Sequence, residues 1–346
     1  MNEVTLSRLL ERLSELRIAV VGDFFLDKYL MIDTELSEVS VETGLEAYQV
    51  VEKRTSPGAA GTVVSNLSAL GVGTIHAVGV LGVDGEGFEL RQNFGEKGVL
   101  TEHLIGVPSW VTPTYTKPMK IRGDELPLEM SRLDIKNLSP TPQEVQREII
   151  EGLESMISCL DGVIILDQLT ERNCGVITED VRSAVELLSR RHPDKVILVD
   201  SRAHIGEFQS VIIKVNQSEA VAAVRPDHSG EVSIELSRQC TEDLAAASGK
   251  PVFLTLGAEG IALLENGYWS QHPTLEVEGP IDIVGAGDSA SAGIVSALCA
   301  RSSFEEAAIL GNMVASITIQ QVGRTGTASP DQVRSRFEDF RGILRA

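Results

Sequence analysis

Aromatic residues are scarce in this chain of 346 residues, where Phe, Trp and Tyr together make up 4%. A pocket built to stack on flat rings draws on such side chains, so aromatic-lined recognition is not expected. Basic residues are also few, with 30 Lys and Arg against 50 Asp and Glu, and the formal charge is −20. A field of that sign repels phosphate backbones and anionic lipid, which sets aside general nucleic-acid and membrane-surface binding. Small phosphorylated ligands stay open. Cys159, Cys174, Cys240 and Cys299 lack C-x-x-C spacing, which argues against a zinc site and for free thiols in a reducing compartment. No apolar run reaches the roughly 18 residues of a membrane span. The opening Met1-Asn2-Glu3-Val4 has no basic stretch of the kind that begins a secretory signal. The expected address is the cytoplasm.

What is present is an ordinary globular composition, 42% hydrophobic and 23% charged. Leu6, Leu9, Leu10, Leu13 and Leu16 recur at helical spacing before the β-branched run Ile18–Val21. The same alternation returns with helices expected over 63–70, 143–157, 177–191, 287–300 and 304–321. Strands are expected over 75–80, 162–166, 195–199, 211–215 and 252–256. Apolar strands alternating with amphipathic helices imply a parallel sheet covered on both faces, a doubly wound α/β domain. Residues 28–56 and 111–135 break the rhythm and alternate like strands of a separate small sheet. They predict a β lid hung on an α/β domain made of 1–27, 57–110 and 136–346.

The sharpest chemical signal is Asp282-Ile283-Val284-Gly285-Ala286-Gly287-Asp288, followed by the small residues of a helix start. Glycines just before a helix let backbone N–H groups converge on an anion, and the helix N-terminus adds its partial positive charge. Gly285, Ala286 and Gly287 thus predict an anion cradle, with Asp288 beside it as a base for an attacking hydroxyl. A plain helix-capping Asp after a Gly turn is the competing explanation. Walker A is absent, and no G-x-G-x-x-G joins a strand to a helix convincingly. Ser289 lies in no G-x-S-x-G context, which sets hydrolase chemistry aside.

An ordered set of motifs resembles the ribokinase-like (PfkB) carbohydrate kinases over essentially the whole chain. It comprises Val21-Gly22-Asp23 with Asp27, Pro57-Gly58-Ala59-Ala60 with Asn66, Gly79-x-x-Gly82-x-Asp84-x-x-Gly87, Asn216-x-x-Glu219, Thr255-Leu256-Gly257-Ala258-Glu259-Gly260, and Gly285-Ala286-Gly287-Asp288. Within the family, Asp23-x-x-x-Asp27-x-Tyr29, Thr112–Lys117 and Ser131-Arg132-Leu133-Asp134 look closest to bacterial heptose-7-phosphate kinase domains. The resemblance implies a three-layer α/β/α sandwich with a mainly parallel sheet and a small β lid, acting as an ATP-dependent sugar kinase. It makes Asp288 the catalytic base and places the Gly285–Gly287 amides around the transferring phosphoryl group. Asn216 and Glu219 would order Mg²⁺-bound phosphates, largely through water, while Thr255, Gly257, Gly260 and Asn312 line the nucleotide. Asp282 matches a position near a monovalent cation such as K⁺. Related kinases often dimerise through the lid, and a homodimer is expected here.

For the acceptor sugar, Asp23 at the carboxyl end of the first strand, Asp27 and Asp167 are candidates, with Gly58 on the sugar-binding turn. Ala59 and Thr62 depart from the family, which usually has Gly and Asn there; the hydrogen bonds offered to the sugar must differ. Residues 111–122 carry Lys117, Lys120 and Arg122 with no acid. We expect that strand to face a phosphate on the acceptor; a solvated edge strand protected by Lys is the competing explanation. A nucleoside kinase of the same fold and a binding module without turnover are the alternative functions.

Overall fold

The computed structural model describes residues 1–123 and 127–344; residues 124–126 of the expected lid and 345–346 of the expected α/β domain lie outside it. The strands are β1 (Arg17–Gly22), β2 (Phe24–Val39), β3 (Glu46–Ala59), β4 (Thr74–Gly82), β5 (Leu100–Val107), β6 (Thr114–Ile121) and β7 (Leu128–Glu129). They continue with β8 (Leu133–Ile135), β9 (Gly162–Asp167), β10 (Val196–Ser201), β11 (Ile212–Asn216), β12 (Val252–Thr255), β13 (Ile261–Glu265) and β14 (Tyr268–His272). The helices are α1 (Glu3–Arg12), α2 (Ala60–Ala69), α3 (Gly85–Glu96), α4 (Gln143–Met156) and α5 (Glu179–Arg191). After these come α6 (Gln217–Val224), α7 (Ile234–Ser248), α8 (Ala286–Cys299), α9 (Phe304–Thr318) and α10 (Pro330–Leu344).

The large sheet has the order β14-β13-β12-β11-β10-β9-β1-β4-β5, parallel from β12 to β5, with the antiparallel hairpin β13–β14 at one edge. Period-two alternation sends successive residues to opposite faces. Ile18, Val20, Ile164 and Leu166 pack with α1, α2, α8, α9 and α10. Ala19, Val21, Val163 and Ile165 pack with α4, α5, α6 and α7. Both faces of the sheet are therefore buried, and its strands read as continuous apolar runs.

The strand order reverses between β1 and β9, since the chain builds outward to β5 on one side and to β12 on the other. A crevice at the carboxyl ends of such neighbours is where open α/β sheets take ligands. The small sheet grows from the same point: β2 follows β1 after the single residue Asp23, and β3 runs directly into α2. Its order is β3-β2-β6-β7, with β8 also on β6, and β2 runs parallel to β6. Pairing begins at Phe24 with Ala59 and reaches Asp27 with Ser56, so the root of the lid takes in Asp27, Gly58 and Ala59.

Several elements were not anticipated. The helix α3 carries glycines at 85, 87 and 95, which hide its periodicity, and it is held by burial of Leu90 and Phe94. The strands β5 and β14 at the two edges of the large sheet are partly exposed, which breaks their apolar runs, whereas β13 is short but buried over Ile261–Leu264.

Candidate active site

Gly285 takes a left-handed conformation, φ 78°, at the N-cap of α8, a geometry that glycine adopts without a Cβ clash. Within the turn Ala286 N donates to Ile283 O at 3.1 Å, while Gly285 N and Gly287 N have no described partner. Ser289 gives its hydroxyl to Gly285 O at 2.8 Å, which ties the turn together and takes that side chain out of any nucleophilic role. Gly287 is glycine for a different reason: a Cβ there would lie 2.9 Å from Lys214 Nζ. Lys214, on β11, is buried, with its ammonium 2.7 Å from Asp200 Oδ2, and Ser291 of α8 reaches the same oxygen at 3.3 Å. A buried cation therefore sits against the anion cradle. Burial works against its charge, but Asp200, Glu219 and Asp288 outweigh that and hold its pKa above the ordinary lysine value.

Asp288 is half-buried in the first turn of α8. Burial, then the charge of Asp200, pushes its pKa up from 3.8 to about 7, while Lys214 and Arg202 pull the other way and Asp27 adds to the rise. A carboxyl group poised there takes up a proton near neutral pH, as a general base must.

Asn216 and Glu219 close a reciprocal capping box at the start of α6: Glu219 N donates to Asn216 Oδ1 and Asn216 N donates to Glu219 Oε2, both at 2.9 Å. The pair thus caps its own helix, and the box leaves Glu219 Oε1 without a described partner. Burial and Asp200 raise the pKa of Glu219. Asn216, Thr255, Gly257, Gly260 and Asn312 line a single cleft of about 770 Å³ that also touches Ala286 and Gly287. Gly260, at φ 92°, has no room for a Cβ beside His272 O, and Gly257 is left-handed at φ 59°. Asn312 donates its amide to His272 O at 2.7 Å, so it holds the cleft wall. Asp282 accepts from Val284 N at 3.1 Å and Gly323 N at 3.2 Å, joining the segment before the cradle to the one after α9. Among the described residues no group of three or more His, Cys, Asp or Glu could hold a metal ion.

The acceptor candidates separate. Asp23 is buried, and its oxygens take three backbone amides: Val176 N at 2.7 Å, Gln168 N at 3.0 Å and Leu169 N at 3.3 Å. These amides anchor the segment after β9 to the end of β1, the position for which the sequence suggested sugar binding. Burial and the neighbouring Asp167 raise its pKa to about 6. Asp167 in turn accepts from Ser201 Oγ at 2.6 Å and sits 3.3 Å from His204 Nδ1, so it too is engaged by the protein. Asp27 is the carboxylate at the lid root: its Oδ2 would lie 3.0 Å from a Cβ on Gly58, and its Oδ1 is 3.6 Å from Lys117 Nζ. Burial raises its pKa and Lys117 opposes that rise.

Lys117 is buried, not displayed on an edge, and donates to Tyr29 OH at 3.2 Å while lying 4.8 Å from that ring. Its charge serves Asp27. Thr62 reaches across from α2, its methyl group 3.1 Å from where a Cβ of Gly285 would be, which brings the acceptor turn against the cradle. Ala59 has φ 52° and ψ −120°, backbone that glycine tolerates and alanine does not favour.

A model of the pfkB family of carbohydrate kinases matches residues 29–332. This chain belongs to that family. Among curated proteins it is 28% identical over 330 residues to the bifunctional protein HldE of Desulfatibacillum aliphaticivorans, covering 94% of this chain and 64% of that one. It is 27% identical over 336 residues to HldE of Trichlorobacter lovleyi, covering 96% and 65%. The chain thus spans just under two thirds of the length of these relatives. Among solved structures, ribokinase from Thermotoga maritima aligns with a TM-score of 0.66 at 19% identity, over 93% of this chain and 99% of that one. Phosphofructokinase-2 from Escherichia coli in complex with fructose-6-phosphate aligns with a TM-score of 0.69 at 15% identity, over 93% and 98%. At such identities the structures speak for the fold.

Within this pfkB-family site, three charged residues went unread in the sequence. Lys214 and Asp200 sit two residues from Asn216 and at the end of an apolar strand, where nothing local marks a buried pair. Arg202, exposed just after β10, has no described ion-pair partner, yet its charge acts on Asp288, Glu219 and the lid residue Tyr115. Arg132 of the lid stacks on Tyr115 at 4.1 Å and pairs with Asp134 at 2.7 Å. Arg132, unlike those three, was marked in the sequence by the motif Ser131-Arg132-Leu133-Asp134.

Proposed function

We propose that this chain transfers the γ-phosphoryl group of ATP to a hydroxyl of a sugar or sugar phosphate, with a heptose-phosphate-like acceptor favoured by the motifs around Asp27, Lys117 and Arg132. The observation that carries the reading is Asp288, held at a pKa of about 7 beside an anion cradle that opens into the cleft. The acceptor hydroxyl gives its proton to Asp288 as its oxygen attacks phosphorus in line and the bond from phosphorus to the bridging oxygen breaks, releasing ADP, while the Gly285 and Gly287 amides meet the charge on the phosphoryl oxygens. Asp27, aligned by Lys117, orients the sugar from the lid root, and the lid excludes water that would compete with the acceptor.

Glu219 suits an Mg²⁺–nucleotide complex, because one carboxylate oxygen is committed to the capping box and the other can hold a metal-bound water. Magnesium, when bound, neutralises charge on the β and γ phosphates. A monovalent cation near Asp282 is part of the same proposal, tested by replacing K⁺ with tetramethylammonium. The exposed Val39, Val41, Leu45 and Val50 of the lid support a homodimer formed there, which sedimentation of the intact chain would detect.

The deciding measurement is ADP release from Mg-ATP across hexoses, pentoses, heptose and hexose phosphates, and nucleosides, with Asp288→Asn as the blank. Acceptor-dependent ADP that disappears in the variant supports the kinase. If no acceptor raises ADP above the blank while ATP still protects the fold thermally, the reading as a binding module without turnover replaces it, and the strained Ala59 becomes the place to look.

A further inference from the structure

Alternation along β2 and β6 divides the lid into two faces. On one, the ring of Phe24 lies 5.4 Å from that of Phe94 and Lys28 meets Glu86 at 2.6 Å, so that face packs on α3. The other carries Asp27, Tyr115 and Lys117. Tyr115 is the register partner of Asp27, its ring is 4.8 Å from that of Phe25, and Lys117 Nζ is 3.6 Å from Asp27 Oδ1. The charge of Asp27 is felt at Asp288, so this second face is the one turned to the cradle.

Two arginines meet there at Tyr115. Arg132 belongs to the lid. Its guanidinium lies 4.1 Å from the centre of the Tyr115 ring and is held in plane by Asp134, with Nε 2.7 Å from Oδ1 and Nη2 2.9 Å from Oδ2. That fork leaves Nη1 and its two N–H groups for another acceptor. Arg202 belongs to the α/β domain. It follows Ser201, the register partner of Asp167, and its backbone N–H donates to Asp167 O at 3.0 Å, so it rises from the carboxyl edge of the large sheet two strands from β1. It is exposed, and among the described residues no carboxylate pairs with it. Burial raises the pKa of the Tyr115 hydroxyl, and the charge of Arg202 opposes that rise ahead of the charge of Arg132. Asp288 and Glu219 feel Arg202 as well, which puts it between the base and the lid.

Like charges brought together repel, and the neighbouring cations are already spent, Lys117 on Asp27 and Lys214 on Asp200 at 2.7 Å. A neutral sugar does nothing for that repulsion. A phosphate ester offsets it, since guanidinium groups bind phosphate oxygens through paired, charge-assisted hydrogen bonds.

We propose that the acceptor carries a phosphate group, and that Arg202 from the sheet edge and Arg132 from the lid hold it beside Tyr115. The proposal rests on the kinase reading above and narrows its acceptor from sugars at large to sugar phosphates. Because the two arginines belong to different parts of the fold, one phosphate draws the lid and the sheet edge together. Lys117 is left to align Asp27.

The test compares glucose 6-phosphate, mannose 6-phosphate and mannoheptose 7-phosphate with the corresponding neutral sugars, in wild type, Arg202→Met and Arg132→Met. At least one ester should exceed its neutral sugar in kcat/KM by about tenfold or more, and Arg202→Met should lower that value for the ester by about 10- to 100-fold, the worth of a hydrogen-bonded charge. The same variant should leave the neutral sugar within about threefold and KM for ATP within about twofold. Arg132→Met should lose less, because Asp134 already shares its charge. An ester no better than its sugar, equal losses for both, or a KM for ATP that rises with that of the ester overturns the proposal. Calorimetric titration of the esters without nucleotide separates the two readings if nothing turns over. Binding to wild type that is lost in Arg202→Met keeps the phosphate site and removes the kinase; no binding to wild type overturns the proposal.

Discussion

On the donor side of the cleft the decisive contacts join near neighbours in sequence: Gly285 with Ser289, and Asn216 with Glu219 three residues on. On the acceptor side they span the chain. Asp23 accepts amides 145, 146 and 153 residues away, and Asp27 meets Lys117 across two strands of the lid. Local contacts leave a spacing that can be read directly. Contacts across the fold leave only a residue type, and a residue type does not say whether a carboxylate faces a ligand or the protein's own amides.

The sharpest challenge to this contrast is Asp288→Asn. Turnover should fall by about 10²- to 10⁴-fold, the range expected when a general base is lost, with the dissociation constant for ATP within a few-fold of wild type. In wild type, kcat/KM should rise with pH and level off above about 7, as Asp288 loses its proton. Stability runs the other way. A carboxyl group whose pKa rises from 3.8 to about 7 on folding favours the folded state fully below pH 3.8, and that contribution is lost as pH climbs through 7. The melting temperature of Asp288→Asn should therefore exceed that of wild type at pH 8 and approach it at pH 5. Equal differences at both pH values would mean that the carboxylate is not held protonated by its surroundings.

Lys214→Met probes the buried ion pair on the donor side. It strands Asp200 as an uncompensated buried charge, and breaking such a pair costs about 3–5 kcal/mol. Asp200→Asn/Lys214→Met should recover much of that loss, as read by urea unfolding. If the double variant recovers stability but not kcat, the ammonium acts on the phosphates through the cradle. Full recovery of both would reduce it to a charge neutraliser.

Much of the fold was legible because both sheet faces are buried: runs such as Ile18–Val21 and Val163–Leu166 are what strands covered on both sides require. The cleft residues Asn216, Thr255, Gly257 and Gly260 were legible for the reason given above, that turn and cap chemistry is local. For Asp23 and Asp167 the sequence shows only a carboxylate at the carboxyl end of a strand, where a ligand is expected; that backbone amides and Ser201 also bind them was not legible, because those partners lie far along the chain. Lys117 shows the same limit. Its surplus of positive charge was visible, but its burial beside Asp27 and Tyr29 was not.

Lys117→Met sharpens the acceptor side. With its partner gone Asp27 becomes harder to ionise, and KM for the acceptor should rise about tenfold, the scale of one lost charge-assisted contact, while KM for ATP stays within twofold. A neutral sugar and its phosphate ester then serve as paired acceptors. A similar loss for both places Lys117 behind Asp27, as its 3.6 Å approach suggests; a loss confined to the ester would restore the reading that it faces a phosphate.

The smallest effect is expected where the two sides meet. Ala59 ends β3, caps α2 and holds φ 52° and ψ −120°, a conformation that costs a residue with a Cβ about 1–3 kcal/mol. Glycine there relieves the strain and gives back part of the gain as chain entropy, so Ala59→Gly should stabilise the protein by about 1 kcal/mol. The kinetic consequence separates two causes for the alanine. If strain alone is at stake, KM for the acceptor is unchanged. If the methyl group shapes the turn that Gly58 and Asp27 present to the sugar, removing it should lower KM for a bulkier acceptor while leaving ATP unaffected, and the departure at Ala59 then belongs to specificity.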